Sequence, residues 1–325
     1  MRKVVIIILT ILACRVDPKV KARSVLEEGL KDESEKVRVN AAGALTRLGD
    51  SKAKDLLIQF LRSDDDELVA IAVNKFARIP DTINGRYLRP LLEHRSPLVR
   101  RLVIEAMARI GIVEPGIVKM LSGKSVPIIV AACHYCGRMK LKRAIPYLKR
   151  LRRRKEPEVR IAAAIGLGLL GDRWASEQLK KEMAVKDPTI WEEAIRGLGI
   201  IRDTSSIQFL GEIVDEGIWP LDLIAAEALF RMGRGKEEVL IGGLTHKDPM
   251  VRIRTIGVVN EVGDERMLHY VLPLTEDPFL NVAIQAIDFV ARYKRPEVKK
   301  KLASLLTAPN PYIRIAAAEA YLLGY

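Results

Sequence analysis

The sequence predicts an all-α fold, an α-solenoid (superhelix) of about ten helix-turn-helix repeats. One motif recurs without gaps, as in residues 34–50, 156–172 and 248–264. Prolines mark the same point of the motif at steps of 29 to 33 residues, and they stand at positions 97, 127, 157, 188, 220, 249, 278 and 311. No strand-like alternation of apolar and polar residues interrupts this pattern. A helix pair of about 30 residues cannot bury its apolar face alone, so neighbouring pairs must stack.

The composition excludes several classes of protein. The 325 residues exceed one compact core of ordinary size, which agrees with a repeat array. A hydrophobic fraction of 49% with 29% charged residues is not that of a disordered chain. Three cysteines exclude a disulfide scaffold, and four histidines leave little material for a multi-metal enzyme. The net charge of +13 favours an anionic partner without identifying it.

Each repeat is predicted to consist of two helices. Proline suits the first turn of a helix, and the Asp, Ser, Glu or Asn before it suits the N-cap. The glycine after the run, as at Gly49 and Gly171, favours a left-handed helix end. Within a repeat region of residues 19–325, second helices are predicted to start near residues 35, 67, 97, 127, 157, 188, 220, 249, 278 and 311. Shorter amphipathic runs at 53–62, 144–152 and 207–214 are predicted as first helices.

The pattern D-P-x-V-R-x-x-A-A-x-A-L-x-x-L-G-D, best seen in residues 156–172 and 248–264, resembles HEAT repeats. It is most similar to the short HEAT-like repeats first described in phycobilisome lyases. The resemblance covers roughly residues 19–325 and implies the solenoid fold. It also implies bilin lyase activity as one alternative, although many relatives of this repeat type are not lyases.

The same resemblance implies a structural role for the arginine that recurs in the motif. This arginine stands at positions 38, 100, 160, 252 and 314. In HEAT-like families it reaches the turn aspartate of a neighbouring repeat, and Asp187, Asp248 and Asp277 are candidates for that partner. The five arginines could also form a binding ladder, but charged groups in such arrays are normally paired.

Residues 1–18 are predicted to be a signal peptide with a short linker. Met1-Arg2-Lys3 is a positive start, and residues 4–13 are apolar or nearly so. Ten helical residues rise about 15 Å, which is half of a bilayer core. Residues 11–14, Ile-Leu-Ala-Cys, resemble the lipobox of bacterial lipoproteins, in which a peptidase cuts before the cysteine and its thiol is lipidated. This resemblance implies export and a lipid anchor on Cys14 at the cell envelope. The alternative is an unprocessed start or a first repeat helix in a cytoplasmic protein.

The sequence predicts no catalytic, cofactor or metal site. Cys133 and Cys136 form a lone CxxC, which is a weak signal for metal or redox chemistry. Alignment of the repeats places them where Ala163 and Gly166 stand, so we expect both thiols to be packed inside. Export leaves a disulfide between them as an alternative. The histidines share no register, and the common catalytic motifs are absent from the sequence.

Positive charge is concentrated in residues 101–155. This stretch contains fourteen Lys or Arg and only two acidic residues, Glu105 and Glu114. A basic ridge is predicted on the outer side of a first helix and its following turn, and it consists of Lys149, Arg150, Arg152, Arg153, Arg154 and Lys155. A concave ladder is predicted from Arg47, Arg78 and Arg109, which are 31 residues apart on the inner face of the second helices. Solvated, intrahelically paired arginines are the alternative for the ladder.

These surfaces favour a non-catalytic, protein-interaction scaffold of the cell envelope that binds a protein or another acidic ligand, such as an anionic lipid. An enzyme or an enzyme-assisting bilin lyase-like protein is one alternative. A cytosolic HEAT-like protein that binds nucleic acid is another, although export and the few aromatic residues in the basic stretch count against it. The sequence leaves open whether a partner covers the apolar C-terminal helix.

Overall fold

The computed structural model describes residues 17–235 and 237–325, and every regular element within them is helical. In chain order the α-helices are α1 (Pro18–Gly29), α2 (Glu35–Arg47), α3 (Ser51–Phe60), α4 (Asp66–Phe76), α5 (Gly85–Leu88), α6 (Pro97–Ile110), α7 (Ile117–Met120), α8 (Val126–Arg138), α9 (Ile145–Leu151), α10 (Pro157–Leu169), α11 (Ala175–Glu182), α12 (Pro188–Ile201), α13 (Ile207–Glu216), α14 (Leu221–Arg231), α15 (Glu237–Leu244), α16 (Pro249–Val262), α17 (Leu268–Val271), α18 (Leu280–Val290), α19 (Pro296–Leu305) and α20 (Pro311–Gly324). Short 3-10 helices cover Thr82–Asn84, Arg89–Glu93, Lys142–Ala144, Thr204–Ser206, Glu265–Met267 and Leu272–Glu276.

The odd-numbered helices are the first members, and the even-numbered helices the second members, of ten pairs within the described residues. Second helices of successive pairs pack side by side, as α6 does on α8, α8 on α10 and α10 on α12. The predicted all-α solenoid of helix pairs is therefore confirmed. The predicted signal peptide and its Cys14 lie outside the described residues, apart from Asp17 and Pro18. Within those residues no helix has both the length and the apolar character needed to cross a membrane.

Proline and its preceding residue begin most of the second helices as the motif requires. The first residues of five of them are Pro97, Pro157, Pro188, Pro249 and Pro311. Pro127 is the second residue of α8, whereas Pro220 and Pro278 lie just before α14 and α18. The carboxylate of Asp248 accepts a hydrogen bond from the backbone N–H of Met250 at 2.8 Å, so it satisfies a free donor of the first turn.

The recurring arginine closes the turn between the two helices of its own repeat, an arrangement that we call the arginine clamp. In Arg160 the Nη1 atom donates to the backbone carbonyls of Arg154 and Lys155 at 2.9 and 2.8 Å. Arg314 makes the same contacts with Ala308 and Pro309, at 2.8 Å each. Arg38, Arg100 and Arg252 repeat the pattern with the carbonyls six and five residues before them.

These contacts correct part of the expectation drawn from the HEAT resemblance. The arginine is structural, but Nη1 binds carbonyls of its own turn instead of a carboxylate from another repeat. In Arg160 the remaining nitrogens do reach the next repeat, where Nε and Nη2 lie 2.9 and 2.6 Å from Glu182 of α11. Glu182 is a helix residue, not a turn aspartate, and its side chain is only 4% exposed. The clamp therefore also links two neighbouring repeats.

Trp191 takes the place of the clamp arginine in α12. Its indole Nε1 donates to the carbonyl of Val185 at 2.6 Å, again six residues back along the chain. An indole has a single N–H donor, so it can satisfy one of the two carbonyls that an arginine satisfies. The turn is thus held by the same geometry with a different donor.

The chain divides into two compact units. One unit contains the described residues up to Leu57 together with residues 271–325, and the other is residues 58–270. Within the first unit α20 packs against α1 and α2. A Cβ added at Gly29 would lie 2.9 Å from Cβ of Ala41 and 3.4 Å from Cδ1 of Ile315, so glycine permits this close approach. The apolar C-terminal helix is therefore covered by the first repeat of the same chain.

We expect Arg160→Met to lower the free energy of unfolding by about 3 kcal/mol, because it removes the clamp and leaves the buried Glu182 carboxylate without its partner. The double variant Arg160→Met/Glu182→Gln should regain part of that loss. Urea denaturation followed by circular dichroism measures both effects. Arg153→Met, at an exposed position seven residues away, serves as the control and should change stability by less than about 0.5 kcal/mol. Equal losses in Arg160→Met and Arg153→Met would contradict the clamp.

Candidate binding surfaces

The predicted basic ridge lies on α9 and the turn that follows it. Leu148 and Leu151 are buried on the inner side of α9, as the apolar spacing predicts. The intervening Lys149 and Arg150 are exposed. The rest of the ridge, residues 152–155, forms the turn that leads into α10. The helix therefore presents its charges to solvent while its leucines anchor it.

Two of the six ridge residues form ion pairs with acidic side chains. Arg154 binds the carboxylate of Glu156 through Nε and Nη2 at 3.0 and 2.9 Å, which lowers the pKa of Glu156 to about 2. Arg152 lies 4.0 Å from Asp172 and 3.4 Å from the amide oxygen of Gln178. Arg154 is therefore held within its own turn, whereas Arg152 contacts the next repeat.

The other four ridge residues form no ion pair with an acid among the residues that the structure describes, and they are Lys149, Arg150, Arg153 and Lys155. The Arg150 guanidinium lies over the ring of Tyr147, 5.1 Å from its centroid. That contact orients the guanidinium without neutralising it. Four cations within seven residues are thus available to an external anion.

A second row of cations, absent from the sequence-based prediction, continues this surface. In four consecutive repeats the residue before the N-cap of the second helix is an exposed Lys or Arg, and we call Arg95, Lys124, Lys155 and Lys186 the turn row. Because α6, α8, α10 and α12 pack side by side, their N-terminal ends follow one edge of the second unit. Arg95 is partly engaged by Asp66 at 3.3 Å. The sequence signal was available, since each of these cations stands two or three residues before a motif proline.

The three residues of the predicted concave ladder have different environments. Arg47 is the last residue of α2 and pairs with Glu319 of α20 at 3.0 Å. The Glu319 side chain is only 5% exposed, so this ion pair contributes to packing inside the first unit. Arg78 and Arg109 belong to the second unit. Arg78 is half-buried in the turn after α4, and Arg109 is exposed in the last turn of α6. A ligand-binding role for the ladder stays a prediction.

The CxxC cysteines are packed inside α8. Cys133 and Cys136 are both fully buried and are not joined by a disulfide. Burial raises the pKa of Cys136 to about 12 and also raises the pKa of Cys133, so neither forms a thiolate readily. A Cβ at Gly166 of α10 would lie 2.8 Å from the carbonyl oxygen of Cys133. This close helix contact explains why the repeat alignment has small residues at these positions.

Comparison with known proteins identifies the repeat. The family model for HEAT repeats matches residues 2–75 and 148–230. The chain therefore contains HEAT repeats. No curated protein matches its sequence.

Three solved structures resemble this HEAT-repeat protein. The complex of CpcE and CpcF of phycocyanin lyase from Nostoc sp. PCC7120 matches with a TM-score of 0.50 and 18% identity, over 76% of this chain and 95% of the matched chain. Human deoxyhypusine hydroxylase in complex with glycerol gives 0.35 and 19%, over 74% and 97%. An engineered protein gives 0.34 and 18%, over 92% and 98%. The likeness to the lyase complex shows the fold alone.

His134 lies between the two buried cysteines of the HEAT-repeat chain. Its Nε2 atom is buried, and no protein group among the described residues bonds to it. Burial, with a smaller effect of the nearby Arg138, lowers the pKa of His134 to about 4. The folded protein therefore keeps this imidazole neutral in mildly acidic solution, whereas the unfolded chain protonates it near pH 6.5.

We expect His134 to reduce stability as the pH falls from 6.5 towards 4. In that window the unfolded state binds a proton that the folded state does not, so the free energy of unfolding falls with pH. At pH 5 the loss is about 2 kcal/mol. Urea denaturation at pH 7 and pH 5 should show a smaller loss in His134→Gln than in the wild type. The exposed His269 provides the control variant His269→Gln, which should keep the wild-type loss. Identical pH dependence in all three proteins would contradict this account.

Proposed function

We propose that this HEAT-repeat protein is a non-catalytic interaction scaffold that binds an acidic segment of a partner protein. The observation that carries the proposal is the set of unpaired ridge cations, Lys149, Arg150, Arg153 and Lys155. They belong to a stretch, residues 101–155, whose net charge is +12 from fourteen cations and two acids. Crowded like charges destabilise the folded protein unless a partner of opposite charge offsets them.

The spacing of the turn row supports an extended acidic ligand. Helices of neighbouring repeats pack about 8–10 Å apart, so four consecutive turns cover about 30 Å. An extended peptide of about ten residues has that length, since each residue rises about 3.3 Å. Lys155 belongs to both the ridge and the turn row, which makes the two parts one surface. The distance between neighbouring repeats thus sets the spacing between the cations that would contact the acidic side chains of the peptide.

A protein partner agrees with two further observations. Tyr147 is already covered by Arg150, which leaves it unsuited to stack on a nucleobase. The matched phycocyanin lyase structure is itself a complex of two chains, CpcE and CpcF. That association supports an interaction role for this type of repeat, while the lyase chemistry is a property of the matched protein.

The proposal places the scaffold at the cell envelope, anchored through a lipidated Cys14. Support comes from the positive start, the ten apolar residues and the lipobox-like residues 11–14. A bacterial lipid anchor would hold the chain at the membrane surface, and the basic surface would then orient it or recruit its partner.

The ridge is tested by charge reversal. We expect Arg150→Glu/Arg153→Glu to weaken binding of a fluorescein-labelled ten-residue Glu/Asp peptide at least about tenfold, because two attractive contacts become repulsive. Fluorescence anisotropy at 50 and 200 mM salt measures the dissociation constants, and wild-type binding should fade with salt. Lys294→Glu/Lys300→Glu is the matched control, since it makes the same change in net charge at exposed positions of the first unit.

Two outcomes would overturn the ridge proposal. The control variant could lose as much affinity as the ridge variant, which would assign binding to net charge alone. A single-stranded DNA of equal charge, or vesicles with anionic headgroups, could bind more tightly than the peptide and depend on the same two arginines. Tighter binding of the DNA would assign the ridge to nucleic acid, and tighter binding of the vesicles would assign it to a lipid surface.

The anchor is tested by metabolic labelling in a bacterial host. Labelled palmitate should enter the wild-type protein and be absent from Cys14→Ser, because the thiol of that residue is the predicted acceptor. Cys133→Ser should keep the label, since that thiol is buried in α8. A soluble, unlabelled wild-type protein that retains Met1 would contradict the location at the cell envelope. It would not affect the ridge proposal.

A further inference from the structure

A cavity of about 590 Å³ opens in the second unit where three consecutive repeats meet. Its lining consists of Arg196, Trp219, Pro220, Asp248, Met250, Val251, Ile253 and Arg254. Arg196 comes from α12, Trp219 and Pro220 directly precede α14, and residues 248–254 are the N-cap and first turns of α16. The volume falls in the range of about 300–1,000 Å³ that small-molecule sites occupy.

The two arginines line this cavity with side chains that are 37% exposed for Arg196 and 25% exposed for Arg254, and a ligand meets their exposed nitrogens rather than the buried ones. Arg254 donates through Nε to Glu227 at 3.1 Å, while its Nη2 is buried and meets no protein acceptor within the described residues. Arg196 lies 3.7 Å from Glu192, and its own Nε is likewise buried without a protein acceptor there. Asp248 also lines the cavity, but its carboxylate caps α16 through the N–H of Met250. The lining thus contains two guanidinium groups and one carboxylate, while Glu227 and Glu192 pair with the arginines from outside the lining.

Glu227 holds Arg254 in place from behind. Its side chain is 1% exposed, and burial raises its pKa while Arg254 acts in the opposite direction. Its second oxygen, Oε2, has no hydrogen-bond donor among the described protein groups. A fixed guanidinium loses less entropy on binding an anion than a mobile one does. The buried carboxylate therefore makes Arg254 a preorganised donor.

The remaining wall is flat and apolar. Trp219 is 51% exposed and stacks on His246, with ring centroids 4.6 Å apart and planes 16° apart. His246 is fixed in turn, because its Nδ1 accepts from the N–H of Asp248 at 3.1 Å and its carbonyl accepts from the clamp Arg252 at 2.6 Å. Met250 is 67% exposed at the same rim. A rigid aromatic face beside an adaptable thioether suits the face of a planar ligand.

We propose that this cavity binds a small organic anion that has a planar apolar body and one carboxylate or sulfonate group. The acid group pairs with Arg196 and Arg254, and the planar body lies against Trp219, Pro220 and Met250. Two convergent guanidinium groups recognise an oxyanion with charge-assisted hydrogen bonds, and the apolar wall excludes water from one side of them. The site is separate from the basic ridge in its residues, and it does not depend on an acidic protein partner.

The probe for the test is 1-anilinonaphthalene-8-sulfonate, which joins an aromatic body to one sulfonate. We expect saturable binding that raises the fluorescence of the dye, with all three tryptophans kept, because Trp191 closes the turn before α12, the helix that carries Arg196. Arg196→Gln should weaken binding about tenfold, and Arg196→Lys by less than about threefold, since lysine keeps the charge but not the fork of donors. The matched control is Arg173→Gln, at an arginine outside the cavity.

N-phenyl-1-naphthylamine, which lacks the sulfonate, separates anion recognition from simple apolar adsorption. It should bind the wild type at least about tenfold more weakly than the sulfonate. Circular dichroism checks that each variant is folded, and the acidic-peptide assay should give wild-type affinity in Arg196→Gln, so a failure here is distinct from a failure of the ridge. Equal affinity for the two dyes, unchanged affinity in Arg196→Gln, or non-saturable binding would overturn the proposal.

Discussion

The arginine clamp is the interaction that closes the turn in five of the ten described helix pairs, and Trp191 takes its place in a sixth. Without it, two carbonyl groups of the turn would lie beside a packed helix with no internal donor, which is unfavourable for half-buried backbone. One guanidinium nitrogen satisfies both carbonyls, so a single side chain closes the turn between the two helices. Trp191 shows that the constraint lies in the donor position and not in the positive charge.

The clamp also fixes the backbone of two residues of the turn row, Arg95 and Lys155. The carbonyls that receive it include those of Arg95 and Lys155, so the backbone of these turn-row residues is fixed while their side chains extend into solvent. At His246 the same carbonyl contact supports the ring on which Trp219 stacks. The arginine clamp therefore supports both proposed binding surfaces. It fixes the backbone beneath cations of the turn row, and it holds the ring behind Trp219 in the cavity.

Features set by neighbouring residues within one repeat, such as helix starts, are predictable from the sequence. Contacts between side chains of different repeats are not. Proline and its capping residue locate the starts of α6, α10 and α16, because these signals act within one turn. The structural role of the clamp arginine was also predictable, but its carbonyl acceptors were not, since a backbone oxygen leaves no mark in a side-chain pattern. The pair Arg47–Glu319 joins residues 272 positions apart. The cavity arginines lie on different repeats in the same way, so only packing could bring them together.

The ridge and the cavity differ in how strongly solvent screens them. The ridge cations are mostly exposed, so their attraction for an anion acts over a Debye length of about 8 Å at physiological salt and declines as salt increases. In the cavity the side chains of Arg254 and Arg196 are only 25% and 37% exposed, and contacts with partly buried groups are screened less. Long-range attraction at the ridge favours rapid encounter with a large partner. Short-range, oriented donors beside the aromatic wall of the cavity favour selective binding of a small ligand. The ridge and the cavity can therefore act on the same scaffold without competing.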